Sequence, residues 1–514
     1  MRTGRDGRGA VARMTEAVDG AEPKVAEARG GTAVVPQRSA GGAGGPAERA
    51  RRGFAVAGFA SAQDGRNRER GKELRLRVPR ERHAEFAAAP GRPTAVEALE
   101  ASNAGRIAEL VPIRVGRMAA TPFAFLRGSA GLMAADLAGT PVTGVGAQLC
   151  GDAHAANFGL YGDARGQLVL DINDFDETVH GPWEWDLKRL AASLVLAGRE
   201  TGASETTARE AAEHVAGSYR RTMRTLAKLP ALDSWNAVAD EQLVSFAEAH
   251  DLADVLRKVG AKALGNTSAK FAARSTDRTA DGGWRFAAAP PVLTEVSDAT
   301  ARAVAHSLGA YVETVPAEVR TLLSRYRVQD VAFRVVGTGS VGTRSYVVLL
   351  TDHRDQPLVL QVKEARPSVL LPYLPQAEQA AGTAETARDD HEGRRVVLGQ
   401  KHMQVVSDTL LGWTTVDGLP YQVRQFRNRK GSVDPAALQP SQLDDYARIT
   451  GALLARAHAH TADPGLLAGY CGKGEALDEA IGAFAVAYAD RTEADHADLL
   501  TAVRSGRLPA EHGV

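Results

Sequence analysis

Cysteine is nearly absent: Cys150 and Cys471 are the only two in 514 residues. So few thiols in so long a chain exclude a disulfide-built scaffold, and a reducing cytoplasm is the expected setting. Long apolar runs are missing too. None approaches the roughly 18 residues that span a bilayer, so no membrane partner is expected. The N-terminal residues include arginine but no apolar stretch of signal-peptide type, and no export signal is expected. Neither sign of charge is in excess, since 62 Lys+Arg balance 62 Asp+Glu. A general electrostatic affinity for nucleic acid is therefore not expected. No internal repeat is visible.

The composition, 44% hydrophobic and 24% charged, suffices for two or more domains or lobes. Residues 1–70 are rich in Gly, Ala, Arg and Glu without a sustained apolar period, and are expected to be a disordered tail. Order is expected from near Leu74. Residues 71–229 read as a helical lobe carrying the catalytic and metal-binding loops, with helices over 95–110 and from Trp185 onward, and a strand over 168–172. Residues 230–329 read as a mostly helical connection. Residues 330–430 read as a β-rich nucleotide-binding lobe, with strands over 331–336, 345–350, 358–363 and 421–426 and a helix over 392–406. Residues 431–514 read as C-terminal helices.

Two polar stretches stand out. Leu149-Cys150-Gly151-Asp152-Ala153-His154-Ala155-Ala156-Asn157-Phe158 sets a carboxylate and an amide across a short loop. Asp171-Ile172-Asn173-Asp174-Phe175-Asp176-Glu177 gathers carboxylates at the end of an apolar run. So acidic a run is costly unless a cation or basic group compensates it; a solvated acidic turn is the plainer reading. Far downstream, Gly337-Thr338-Gly339-Ser340-Val341-Gly342 lies between two β-type runs. In dinucleotide and Walker sites such a loop opens a helix, and no Lys-Ser/Thr pair follows the last glycine here. Strand–glycine loop–strand covers nucleotide phosphates in protein kinases, though an ordinary hairpin turn has the same outline. Lys363, on the third β run, matches the strand lysine that contacts the phosphates; a surface lysine on an edge strand is the plainer alternative. Gly337, Gly339, Ser340, Gly342 and Lys363 are the expected cofactor-binding residues, with ATP as the cofactor.

The first polar stretch resembles the aminoglycoside-phosphotransferase branch of kinase-like enzymes, in which a His-Gly-Asp-x-His-x-x-Asn motif recurs. Gly151, Asp152, His154 and Asn157 match, and Cys150 replaces the first His. Asp174-Phe175 and Asp186-Leu187 resemble two further positions of that branch. The resemblance implies Asp152 as catalytic base, Asn157 and Asp174 as Mg²⁺ ligands with Asp171 and Asp176 as alternates, and Asp186 as a brace for the catalytic loop. From about Leu74 onward the chain also resembles the bacterial domain-of-unknown-function 2252 family. The carrying residues include Val111-Pro112-Ile113-Arg114, Pro122-Phe123-Ala124-Phe125-Leu126-Arg127-Gly128, Trp185-Asp186-Leu187-Lys188-Arg189 and Gln361-Val362-Lys363-Glu364-Ala365. That family, as an uncharacterised one, implies no chemistry.

In kinases the glycine loop and lysine precede the catalytic loop; here they follow it. The expected fold is therefore α/β of the α+β kind, a protein-kinase-like two-lobe fold, circularly permuted, with extra helices. The expected function is ATP/Mg²⁺-dependent phosphoryl transfer to a small-molecule or protein acceptor. Glu392 and Gln400 are the candidates to pair with Lys363, and neither is a clear match. An inactive nucleotide-binding, pseudokinase-type module therefore stays open, as does a metal-dependent hydrolase using Asp152, His154 and the cluster from Asp171 to Asp176.

Overall fold

The computed structural model describes residues 66–89, 91–237, 251–335, 337, 339–375 and 391–511; the tail expected over 1–70 lies, up to residue 65, outside them. The first strands are short. β1 (Gly146–Leu149) pairs antiparallel with β4 (Val179–Pro182), and β2 (Phe158–Gly162) with β3 (Leu168–Ile172). β5 (Thr276–Arg278) and β6 (Trp284–Phe286) form a separate ladder. One antiparallel sheet of six strands follows: β7 (Leu293–Glu295), β8 (Arg327–Arg334), β9 (Ser345–Thr351), β10 (Pro357–Glu364), β11 (Gly412–Val416) and β12 (Leu419–Gln425). Its spatial order is β11-β12-β10-β9-β8-β7. β13 (Gly431–Ser432) adds a third strand beside β2.

Successive residues of a pleated strand face opposite ways, and the six-stranded sheet uses both faces. Tyr346, Val348, Leu360, Val362, Tyr421 and Val423 pack with Val304, Leu308 and Tyr311 of the Asp298–Thr314 helix. Val347, Leu349 and Val359 pack on the other face with Phe271, Ala272 and Phe426. Along this second face the apolar positions give way to Gln361 and Lys363 on β10 and to Gln422 and Arg424 on β12. Lys363 sits opposite Gln422 in the ladder, and Gln361 opposite Arg424. The alternation thus delivers one polar end of the sheet.

The helices Trp183–Glu200, Glu205–Leu226, Pro440–Ala459 and Ala476–Arg504 enclose a separate and larger core. Small residues let them approach: Gly198 lies against Ala208, and Ala191, Ala197, Ala212 and Ala216 are all buried. This core reaches β1, β2 and β3 through Ala147, Leu149, Phe158 and Ile172, so the two polar loops are mounted on it.

Several expectations need correction. The helix over 95–110 stops at Asn103, because Gly105 takes a positive φ and only a 3₁₀ turn, Ala108–Leu110, follows. Beside its helices, the connection over 230–329 also holds β5, β6, β7 and the start of β8, three of them only three residues long and too short to display a period. Order begins before Leu74, with a helix over Asn67–Arg77. That helix has little apolar stripe. It is held by Gly71, where any Cβ would collide with the Leu466 carbonyl, and by Arg75, which donates to the carbonyls of Gly469 and Tyr470. Among the described residues no helix is long and apolar enough to cross a membrane. Both cysteines are free and buried.

Candidate functional site

After β1 the chain turns through Gly151 at φ +79. A side chain there would strike the Glu177 carbonyl, so glycine is what lets the first polar loop lie against the acidic one. Asp186, in the first turn of the Trp183–Glu200 helix, accepts from the backbone amides of Cys150 (2.8 Å) and Gly151 (3.1 Å). It stands where a brace for this loop is expected. Burial, with Asp186 and Asp152 nearby, pushes the Cys150 thiol well up, so this cysteine is a packing residue rather than a nucleophile.

Asp152 lies at the tip of the loop. Its Oδ1 accepts from Arg189 Nε at 2.8 Å and from a second guanidinium nitrogen, and its Oδ2 is 3.7 Å from His154 Nε2. Asn157 donates from Nδ2 to the carbonyls of Asp152 and Asp174, each at 3.1 Å, tying the two polar loops together. Its Oδ1 is left without a donor among the described residues. Burial lowers the His154 pKa to about 4, with Asp152 opposing and Arg127 and Arg189 assisting. His83 is lowered to about 3 by burial and Lys188. Folded values below the unfolded 6.5 mean that the unfolded chain binds more protons in between. Stability is whole above about pH 6.5 and falls as pH drops toward 4, by about 2 kcal/mol per histidine at pH 5. Urea midpoints at pH 7 and pH 5 check this. The gap is expected to narrow in His154→Asn, and an unchanged gap refutes the assignment.

The acidic stretch divides by environment. Asp171, on β3, is 1% exposed and ion-paired with Arg456, and it accepts from the Ile172 amide at 2.8 Å. It braces the sheet and is not open to a metal. Asp176 is also taken: Lys363 Nζ pairs with its Oδ2, Ser340 Oγ donates to that oxygen at 3.0 Å, and Gln422 Nε2 donates to Oδ1 at 2.9 Å. Asp176, not Glu392 or Gln400, is therefore the partner of Lys363. Glu392 pairs with Arg395 of its own helix, and Gln400 donates to Gln404. Asp174 is different. It is 43% exposed, and Lys363 Nζ stands 3.9 Å away. Burial within the cleft opposes its ionisation, but Lys363, Arg424 and Lys430 outweigh that and hold its pKa at about 2.

Two cavities meet at this residue. The first, of about 320 Å³, lies under the polar end of the sheet and is lined by Arg334, Lys363, Arg424, Arg427 and Lys430 against two carboxylates, Asp174 and Asp408. Arg334 rests on the faces of Phe271 and Phe426. Desolvation and Arg424 lower the Lys430 pKa to about 8 although its side chain is open to the cavity. The second, of about 840 Å³, contains Asp152, His154 and Asn157. Asn173, Asp174, Gly337, Ser340 and Lys430 line both. Gly339 lines only the second. Gly342 lines neither: its carbonyl accepts from the Ile107 amide at 2.8 Å, and a Cβ there would press on Arg106. It shapes the loop and is not a phosphate contact.

The structure thus brings Asp152, Asn157, Asp174, Gly337, Gly339, Ser340 and Lys363 around one cleft and leaves Asp171 and Gly342 out of it. Arg189, Lys430 and Arg424 are site residues that sequence reasoning missed. Arg189 lies in a stretch already singled out, one helical turn from Asp186, and its spacing was the available signal. Among the described residues no three His, Cys, Asp or Glu side chains form a metal-holding group.

The family model described as "Uncharacterized protein conserved in bacteria (DUF2252)" matches residues 106–502. No curated protein and no solved structure matches the chain. The family match spans the smaller cavity, most of the larger one's lining and most of the described fold, and the chain belongs to the DUF2252 family.

Proposed function

We propose that the chain is a kinase-like phosphotransferase with permuted chain order, binding ATP with Mg²⁺ in the smaller cavity and an acceptor in the larger. The carrying observation is that the two cavities share Asp174, Gly337 and Ser340, so that a group bound in one abuts a group bound in the other. Phosphoryl transfer asks for little covalent work from protein groups and much positioning and charge neutralisation. The antiparallel run β8, glycine loop, β9, β10 with its lysine, the Glu392–Met403 helix, β11 and β12 supports the kinase-like comparison. Five cations against two carboxylates suit a polyphosphate.

The donor set fits magnesium. Mg²⁺ takes one or two carboxylates and completes its shell with water and substrate phosphates. Asp174, held ionised, and the Asn157 Oδ1 are hard oxygen donors on facing loops, and Asp171 and Asp176 are excluded by their partners. Bound Mg²⁺ would neutralise charge on the phosphate oxygens. Lys363 would hold the phosphates, and Asp152, fixed by Arg189, would orient the acceptor hydroxyl. A hydrolase built on a tightly held transition metal would need a His/Cys/Asp/Glu group, which the described residues do not offer.

A second reading rests on Lys363, whose charge is already matched by Asp176. An inactive nucleotide-binding module would keep that pair when nucleotide binds. ADP release from Mg·ATP by the full chain, with water as the default acceptor, separates the two. Slow release that is lost in Lys363→Met is expected. Binding without any release would favour the inactive module.

A further inference from the structure

The larger cavity carries an arginine group that the acceptor-orienting role of Asp152 does not use. Arg106, Arg114, Arg127 and Arg366 all line it. Among the described residues none of the four is ion-paired with a carboxylate. Arg106 spends its nitrogens on the carbonyls of Ser102 (3.0 Å) and Val341 (2.6 Å). Arg114 donates to Asn103 Oδ1 (2.7 Å) and the Gly128 carbonyl (2.9 Å), and Arg366 to the Ala104 carbonyl. Arg127 makes no hydrogen bond or ion pair among the described residues. The Nε atoms of Arg114 and Arg127 are buried without a partner, and Arg114 is only 2% exposed.

Asp152 is held by Arg189, Asp176 by Lys363 and Glu364 by Arg344. Of the other carboxylates on the same walls, Glu97 caps its own helix, Asp174 faces Lys363, and Glu177 accepts from the Val369 amide at 2.8 Å. The four guanidiniums therefore have no ion-paired carboxylate of their own, and Glu177 only partly offsets Arg106 and Arg114. They also repel one another: burial and Arg366 lower the Arg106 pKa to about 10, and burial with Arg106 and Arg366 lowers that of Arg114 far below its usual value. A crowd of unpaired, partly desolvated cations is unfavourable unless an anion arrives to pair with it. Guanidinium forks match the oxygens of phosphate, and a dianion offsets more of this charge than a single carboxylate does.

We propose that the larger cavity is an anion site whose ligand carries a phosphate-ester group, gripped by Arg127 and Arg366 with Arg106 and Arg114 behind them. Naming that ligand the acceptor rests on the phosphotransferase reading; the anion site itself does not.

The test is a thermal-shift titration of the full chain with inorganic phosphate, against sodium chloride at matched ionic strength and against citrate. It is run on the wild type, Arg127→Gln and Arg366→Gln, with Mg·ADP titrated in parallel. The expected result is a saturable rise in Tm with phosphate beyond that with chloride, weakened at least tenfold in Arg127→Gln and in Arg366→Gln. Both variants should keep the ligand-free Tm at or above the wild-type value, since each removes a repelling charge, and should bind Mg·ADP as the wild type does. A phosphate response no larger than chloride's, or equal in all three proteins, overturns the site. Citrate binding as tightly as phosphate overturns the phosphate-ester assignment. Phosphate binding as expected together with no response to Mg·ADP upholds the anion site and removes the phosphotransferase reading instead.

Discussion

Asp186→Ala is expected to destabilise the fold by about 2–5 kcal/mol, because two buried backbone amides lose their acceptor at once. Asp186 is 1% exposed. Its carboxylate spans the amides of Cys150 and Gly151 and lies 3.4 Å from His458 Nε2. Asp186→Asn keeps one acceptor oxygen and turns a donor toward the other amide, so an intermediate loss is expected. The urea midpoint measures the loss. Hydrogen exchange locates it: amides from Cys150 to Asn157 should open first, while those of β9 and β10 keep their protection. A wild-type midpoint in Asp186→Ala would remove the brace from the account.

Asp174→Asn should reduce ADP release from Mg·ATP at least a hundredfold, on the order expected when a group stabilising transition-state charge is lost. The substitution is nearly isosteric at a side chain 43% exposed, so the fold should survive it. It also removes one carboxylate charge from beside Lys363, Arg424 and Lys430. Metal-free ATP should then bind more tightly than to the wild type, while the benefit of adding Mg²⁺ should vanish. A structural role alone would move neither the metal dependence nor the metal-free affinity in that direction. Unchanged release with unchanged Mg²⁺ dependence would take Asp174 out of the metal site.

Much of this was legible because it is local. The apolar run over 358–363 placed Lys363 on a strand. Gly337 and Gly339 announced a turn between strands. The spacing from Asp152 to Asn157 put both on one loop. What stayed hidden depends on distant partners. Asp171 and Asp176 look alike in sequence, yet one meets Arg456 and the other meets Lys363, Ser340 and Gln422. No period or composition reveals which carboxylate a remote cation will take. The Asn67–Arg77 helix was hidden for a related reason: its contacts are backbone approaches at Gly71 and Gly469, which leave no apolar stripe to read. The arginines of the larger cavity come from four separate segments, and only the fold assembles them.

The central claim is that the cavity under the polar end of the sheet takes a nucleotide whose phosphates reach Asp174. Calorimetric titration of ATP into the full chain, with and without Mg²⁺, tests it most directly. The account predicts saturable binding of one nucleotide per chain, strengthened by Mg²⁺ and weakened at least tenfold in Lys363→Met. Absence of binding at millimolar ATP, or binding indifferent to both Mg²⁺ and Lys363, would contradict it.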